Sequence, residues 1–447
     1  MAMSIGAFLV AGLAALSFVA PLHAQTALSP PVVFDHVRVF DGLGLTAPMN
    51  VLVEGNQIAR ISAEPITTTD QAIRISGEAR TLMAGLIDAH WHTFMARPTM
   101  VMASTAPLTL ITLMAGAEAE ATLLRGFTSV RDLGSPSFGL KMAIDRGVVV
   151  GPRIWPSGAM ISQSGGHGDF RMLHEVPATP DTLSYPERIG MSAIADSPDE
   201  VRKRTREQLL QGASQVKLTV GGGVSSPYGP IDTVQLSVPE IRAAVEAAAN
   251  WGTYVTVHAY TPEAIRNAIE GGAKVIDHGQ LADEATAKLM ADNGTWWSLQ
   301  PFLPDEMANA QPDAAGRAQA AEVRAGTDNA YRLAKQFGVK VAFGTDILFD
   351  GARAARQGAQ LQTMTRWYTP AEVLRMATAD NAALLALSDR RNPYPGKLGV
   401  VEVGALADLL LVDGDPIADI SLLSDPSKNL LVIMKDGRVV KNALLAN

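Results

Sequence analysis

The chain contains no cysteine. A disulfide framework and a thiolate metal site are therefore both excluded, and any ion must be held by imidazole, carboxylate or a rarer donor. Histidine is scarce, at eight in 447 residues, so the placement of each one carries information. Charged residues make up only 18 %, and no basic stripe interrupts the scattered acids behind a formal charge of −8. That balance argues against nucleic acid as the main partner. What the chain does have is apolar bulk, 47 % of its residues, enough for a large core. Its length suits one large barrel with a smaller companion.

Long apolar runs are also few. Ile5 to Ala20 is nearly unbroken and ends in the small-residue exit Pro21-Leu22-His23-Ala24. This reads as a secretory signal peptide over residues 1–24, cut before Gln25. The run is short for a membrane span, and its leading region carries no Lys or Arg, only the terminal amine. Export to a bacterial periplasm or beyond is expected. No later segment reads as transmembrane, so no membrane partner is expected after cleavage.

Residues 32–85 read as short strands separated by turns such as Asp41-Gly42 and Glu54-Gly55-Asn56. Residues 396–447 repeat that style, with Lys435-Asp436-Gly437 as a turn. The simplest arrangement is one small β-sandwich built from 25–85 and 396–447. The middle, 86–395, alternates. Apolar strand-like runs fall at 86–92, 127–132, 153–161, 215–220, 254–259, 274–278, 296–300 and 339–345, with helical patterns such as Pro239 to Trp251 between them. Eight strand–helix repeats predict an α/β fold, a distorted (β/α)₈ barrel. Two connections, 162–198 and 301–316, are long and follow strand C-termini, the side where barrel active sites sit.

The chemistry gathers on that side. In Gly85-Leu86-Ile87-Asp88-Ala89-His90-Trp91-His92, the two histidines are two apart at a strand end, a spacing that turns both the same way. Alone, such a pair is also compatible with surface or core histidines. His258 ends the fifth strand, His278 the sixth and Asp346 the eighth. With His23 set aside, four of the seven remaining histidines lie at C-terminal strand ends. That clustering points to a metal site. Lys217 sits inside an apolar fourth strand. It either snorkels to the barrel mouth or, with its cationic form disfavoured by burial, adds carbon dioxide to become a carbamate ligand.

The order His-x-His, Lys, His, His, Asp on strands one, four, five, six and eight resembles the amidohydrolase superfamily in its two-metal, carboxylated-lysine form. The closing stretch Lys397 to Leu409 and the split β-sandwich share in that resemblance. It implies that His90, His92 and Asp346 hold one divalent ion and that His258 and His278 hold the other. Lys217, as N6-carboxylysine, would bridge them. Zinc suits such nitrogen and oxygen donors. Asp346 would carry the proton from water to the leaving amine. A homo-oligomer is also implied.

Within the superfamily the chain is most similar to the prolidase-like dipeptidases, a branch that includes enzymes hydrolysing ochratoxin. The shared pieces are Gly165-Gly166-His167-Gly168-Asp169 and Lys217 followed by Gly221-Gly222-Gly223 and Tyr228. The resemblance implies a small-molecule substrate, a dipeptide or N-acyl amino acid with a free carboxylate beside the cut amide. It assigns His167 and Tyr228 to the substrate's carbonyl or carboxylate, with Arg171 as a further carboxylate contact. The functional reading of His167 is favoured over that of an exposed loop residue, while Tyr228 reads equally as a packing ring in a Pro/Gly loop. His36 and His174 read as structural or solvated. Two other functions stay open: hydrolysis of cyclic amides such as hydantoins or imidazolones, and non-catalytic binding of metal or solute by an exported protein.

Overall fold

The computed structural model describes residues 30–176, 182–225, 228–303 and 314–445. The expected signal segment 1–24 lies outside them, as does most of the 301–316 connection. Among the described residues, eighteen strands run in chain order. β1 (Val32–Phe40), β2 (Leu45–Glu54), β3 (Gln57–Ser62), β4 (Ile73–Ser76) and β5 (Thr81–Ala84) come first. Next are β6 (Leu86–Trp91), β7 (Phe127–Asp132), β8 (Arg153–Pro156), β9 (Met160–Ser162), β10 (Ser192–Ile194) and β11 (Val216–Thr219). β12 (Val255–Ala259), β13 (Val275–His278), β14 (Trp296–Leu299) and β15 (Val341–Phe343) complete the middle, and β16 (Leu409–Val412), β17 (Leu430–Lys435) and β18 (Arg438–Asn442) close the chain.

Both ends of the chain build one sheet, in the order β18-β17-β16-β5-β1-β2-β3, with β4 beside β1. Val32, Phe34, Val51 and Val53 from the first half share a buried cluster with Leu409, Leu411, Val432 and Met434 from the second. The middle is an α/β barrel of parallel strands, β6-β7-β8 and then β10-β9-β11-β12-β13-β14-β15. Apart from Ile194 at the end of β10, its strands are buried along their whole length, as parallel strands covered by helices must be. Local sequence sets the helices between them. Helix Val238–Trp251 starts with a capping box of Ser237 and Glu240, buries Ala243, Ala244, Ala247 and Ala248, and stops at Gly252, whose φ is +74°. Among the described residues no helix is long and apolar enough to cross a membrane.

The barrel is distorted in three places. The third expected strand, 153–161, is divided between β8 and β9 by Gly158, which turns at φ +71°. The 162–198 connection contains β10, which pairs parallel with β9, and a short helix Tyr185–Arg188. Finally, the first and last barrel strands, β6 and β15, meet through side chains and single bonds rather than a ladder. The Asn381 amide donates to Ile87 O (2.7 Å) and Phe343 O (2.8 Å). Asp88 accepts from the Thr345 hydroxyl (2.6 Å) and the Gln357 amide (2.8 Å). Asp346 N donates to His90 O (2.8 Å). A Cβ on Gly344 would lie 2.5 Å from that of His90, so glycine is what lets the two ends approach.

Candidate metal centre

The seam delivers the first group of ligands. Between Asp88 and Trp91, three steps on β6 face two on β7, a bulge at the strand's C-terminal end. His90 within it and His92 just beyond it reach the barrel mouth, where Asp346 comes in from the end of β15. The His92 Nε2–Asp346 Oδ1 distance is 3.0 Å and the His90 Nε2–Asp346 Oδ1 distance is 3.3 Å. One ligand atom from each of the three residues lies within 4.8 Å of the others, a spacing that admits one ion. Asp346 sits at φ +49° and His278 at φ +75°, left-handed conformations that are uncommon for residues with a Cβ. Backbone strain of this kind concentrates where surrounding structure enforces a functional geometry.

His258 and His278 arrive on β12 and β13, their ring centroids 4.5 Å apart. Each spends one ring nitrogen on a protein acceptor, His258 Nε2 on Gly222 O (2.9 Å) and His278 Nδ1 on Gln300 Oε1 (2.8 Å). The other nitrogen of each ring is left for a ligand. The glycines at 221–223 therefore serve close approach. A Cβ on Gly223 would fall 2.5 Å from the His167 ring and 2.8 Å from His258 Nε2. His167 stacks on His258 with centroids 3.8 Å apart and planes 14° apart, and its Nδ1 is buried without a partner.

Lys217 lines the same crater as these histidines. Its ammonium is held by Asp277 Oδ2 at 2.7 Å. Asp277 also accepts from Arg131 Nη2 and from the Thr256 hydroxyl, both at 2.7 Å, and faces His90 Nδ1 at 3.4 Å. Asp277 and Arg131 are fully buried and were not picked out from the sequence. Both are charged residues inside apolar parallel strands, the same signal that singled out Lys217.

The remaining expected contacts separate. The Arg171 guanidinium is engaged by Asp169, Nε to Oδ1 at 2.9 Å and Nη2 to Oδ2 at 2.5 Å. The Tyr228 hydroxyl donates to Arg171 O at 2.8 Å. The crater, about 490 Å³, is lined by His90, His92, His167, Lys217, His258, His278 and Asp346. Met95, Met160, Phe170, Leu348 and Phe349 also line it. The structure thus brings His167 to the ligand cluster and leaves Arg171 and Tyr228 bound to protein partners behind it. Ile347, the apolar neighbour of Leu348, is buried elsewhere, against Trp91 and Phe94.

Electrostatics favour a cation here. Burial pushes His90 down to about 4 and His167 down to about 3, and drives His258 and His278 well below the ordinary imidazole value. All four are neutral at pH 7, the form that binds metal. Burial also lowers Lys217, opposed by Asp277. Burial alone would raise Asp346, but the imidazoles of His90, His92 and His278 hold it well below the usual carboxylate range. An orphaned Nδ1 on each of His92 and His167, with neutral imidazoles around one anionic carboxylate, fits a divalent ion of the nitrogen- and oxygen-binding kind.

One pH dependence follows. An imidazole depressed in the folded state takes up its proton first in the unfolded chain, so its stabilisation is present above pH 6.5 and is lost toward the folded value. For His90 that window is pH 6.5 to about 4. Asp88, pushed up to about 6 by burial, works in the opposite direction, but four imidazoles outweigh it. Metal-free protein is expected to lose stability steadily from pH 6.5 to 4 in urea titrations. A flat or rising profile would contradict the neutral-imidazole arrangement.

Comparison with known proteins fits this geometry. The amidohydrolase family profile matches residues 81–440. Ochratoxinase of Aspergillus niger is 31 % identical over 330 residues, which is 71 % of this chain and 66 % of that protein, so the match spans a little under two thirds of the relative's length. A crystallised prolidase in complex with N-methylphosphonate-L-proline is 33 % identical, with a TM-score of 0.83 over 92 % of this chain and all of that one (100 %). A Xaa-Pro dipeptidase crystallised with methionine in its active site is 29 % identical, with a TM-score of 0.80 over 92 % of this chain and 100 % of its own. With its barrel, its terminal sheet and these matches, the chain belongs to the amidohydrolase family, in the branch that holds the prolidase-like dipeptidases and ochratoxinase.

Proposed function

We propose that the protein is a metal-dependent hydrolase that cleaves an amide bond next to a residue with a free carboxylate, acting as a dipeptidase or carboxypeptidase, with ochratoxin among the amides it accepts. The observation that carries this reading is the convergence of His90, His92 and Asp346, with ligand atoms within 4.8 Å, in the crater that Lys217, His258 and His278 also line. His90, His92 and Asp346 would hold one divalent ion and His258 and His278 a second, with Lys217, as a carbamate, supplying oxygen donors to them. Zinc is the ion this donor set suits best. When bound, the ions supply Lewis acidity and a water acidic enough to ionise near neutral pH.

The chain's own residues do the rest. Asp346, held ionised by its imidazole neighbours, accepts the water's proton and returns it to the departing nitrogen. His167, neutral and with a free Nδ1, hydrogen-bonds the substrate beside the reacting carbonyl. Met95, Met160, Phe170, Leu348 and Phe349 offer an apolar side chain a dry wall. The apolar leader at residues 1–24 supports an exported enzyme.

The test is a substrate screen on zinc-loaded protein, run with elemental analysis. Dipeptides and N-acyl amino acids are expected to turn over, those with apolar C-terminal residues at least about 10-fold faster than charged ones, since one well-filled apolar pocket discriminates by 10- to 200-fold. Turnover of cyclic imides alone would replace this reading with a ring-opening one. Inertness toward every amide would leave a binding protein.

A further inference from the structure

Five of the seven tyrosine hydroxyls have a protein partner. Tyr185 donates to Ala106 O at 2.5 Å, Tyr228 to Arg171 O, and Tyr331 to Met364 Sδ at 3.2 Å. Tyr254 meets Arg131, and Tyr394 meets Asp145 at 2.7 Å. Half-buried Tyr368 has no such partner among the described residues, and neither does Tyr260. It is 4 % exposed, yet no hydrogen bond to its hydroxyl exists among the described residues. A buried Tyr ordinarily finds a partner for its O–H.

Its position explains the vacancy. Tyr260 follows β12 two residues after His258, so both side chains leave the strand on the same side, and both line the crater. The ring lies nearly flat on His278, with centroids 5.0 Å and planes 22° apart, and edge-on to His258 at 5.2 Å and 88°. His167 covers His258 as well, stacked face to face. Two unspent polar groups, the Tyr260 hydroxyl and His167 Nδ1, therefore flank the histidines of the second half of the site.

We propose that Tyr260 is a catalytic residue, its hydroxyl donating a hydrogen bond to the carbonyl oxygen of the scissile amide as negative charge builds there. This rests on the hydrolase reading above. In that reaction the water oxygen bonds to the carbonyl carbon while the C–O π pair moves onto oxygen. The C–N bond then breaks as the pair returns, and the nitrogen leaves with the proton carried by Asp346. Tyr260 keeps its own proton throughout. Its donor is fixed in place by ring contacts on two sides, so it needs no reorganisation during the step.

Tyr260→Phe keeps the ring and removes only the donor. On zinc-loaded full chain, with an Xaa-Pro dipeptide and an N-acyl phenylalanine as substrates, kcat is expected to fall about 100-fold, the loss typical of one such donor. KM should stay within about threefold and zinc content should be unchanged. A dipeptide phosphonate, whose tetrahedral anion mimics the charged oxygen, should bind the variant about 30-fold more weakly, a readout that does not need turnover. A kcat within threefold of wild type, an effect confined to KM, or loss of zinc from the variant would each overturn the assignment. If wild type turns over and Tyr260→Phe matches it, only this inference falls. An inert wild type takes the hydrolase reading with it.

Discussion

Asp346→Asn is expected to lower kcat by about 10⁴-fold, the upper range for removing a positioned proton carrier. The substitution is close to isosteric, and asparagine tolerates the left-handed backbone that position 346 requires at φ +49°. The variant should therefore fold, and the loss should be chemical. Asparagine can still offer one oxygen to an ion that His90 and His92 also bind, so metal content should fall only in part. Single-turnover kinetics with elemental analysis make the measurement. If the variant keeps a tenth of wild-type turnover, Asp346 is not the proton carrier.

Asp277→Ala is expected to destabilise metal-free protein by about 3–5 kcal/mol, the range for stranding buried charge by deleting its partner. Arg131 and Lys217 both rely on this one carboxylate, each at 2.7 Å in a fully buried setting. Lys217→Met should cost clearly less, because Asp277 then still holds Arg131 and the Thr256 hydroxyl. Adding Lys217→Met to Asp277→Ala should recover part of the loss by removing one of the two stranded cations. Urea unfolding of the four proteins reads the cycle. Equal losses for the two single variants would mean that the carboxylate is not the hub of the cluster.

The residues that gather in the crater were legible in the sequence because barrel chemistry is periodic. His90, His92, His258, His278 and Asp346 all end apolar runs, and a strand end in a parallel barrel points to one rim. The fold followed from the same alternation. What could not be read depends on contacts between distant segments. Asp277 adjoins His278 in Val275-Ile276-Asp277-His278, and nothing local says that it faces Lys217 and Arg131 across the barrel. Arg171 stands two residues from the acid that occupies it, a pairing that only the folded loop reveals. β10 has three residues, too few for a periodic signal, and takes its order from pairing with β9. The split of the third strand turns on the left-handed backbone at Gly158. Tyr260 was passed over because tyrosine after a strand is common; the unusual fact is what its hydroxyl lacks.

The join between β6 and β15 gives the proposed metal centre a second meaning. His90 and His92 stand on one bank of that join and Asp346 on the other, so an ion gripped by all three is also a rivet through the staves of the cask. Cation affinity and the mechanical integrity of the barrel then draw on the same free energy. Whatever stripped such an ion from the crater would also loosen the wall that shapes it.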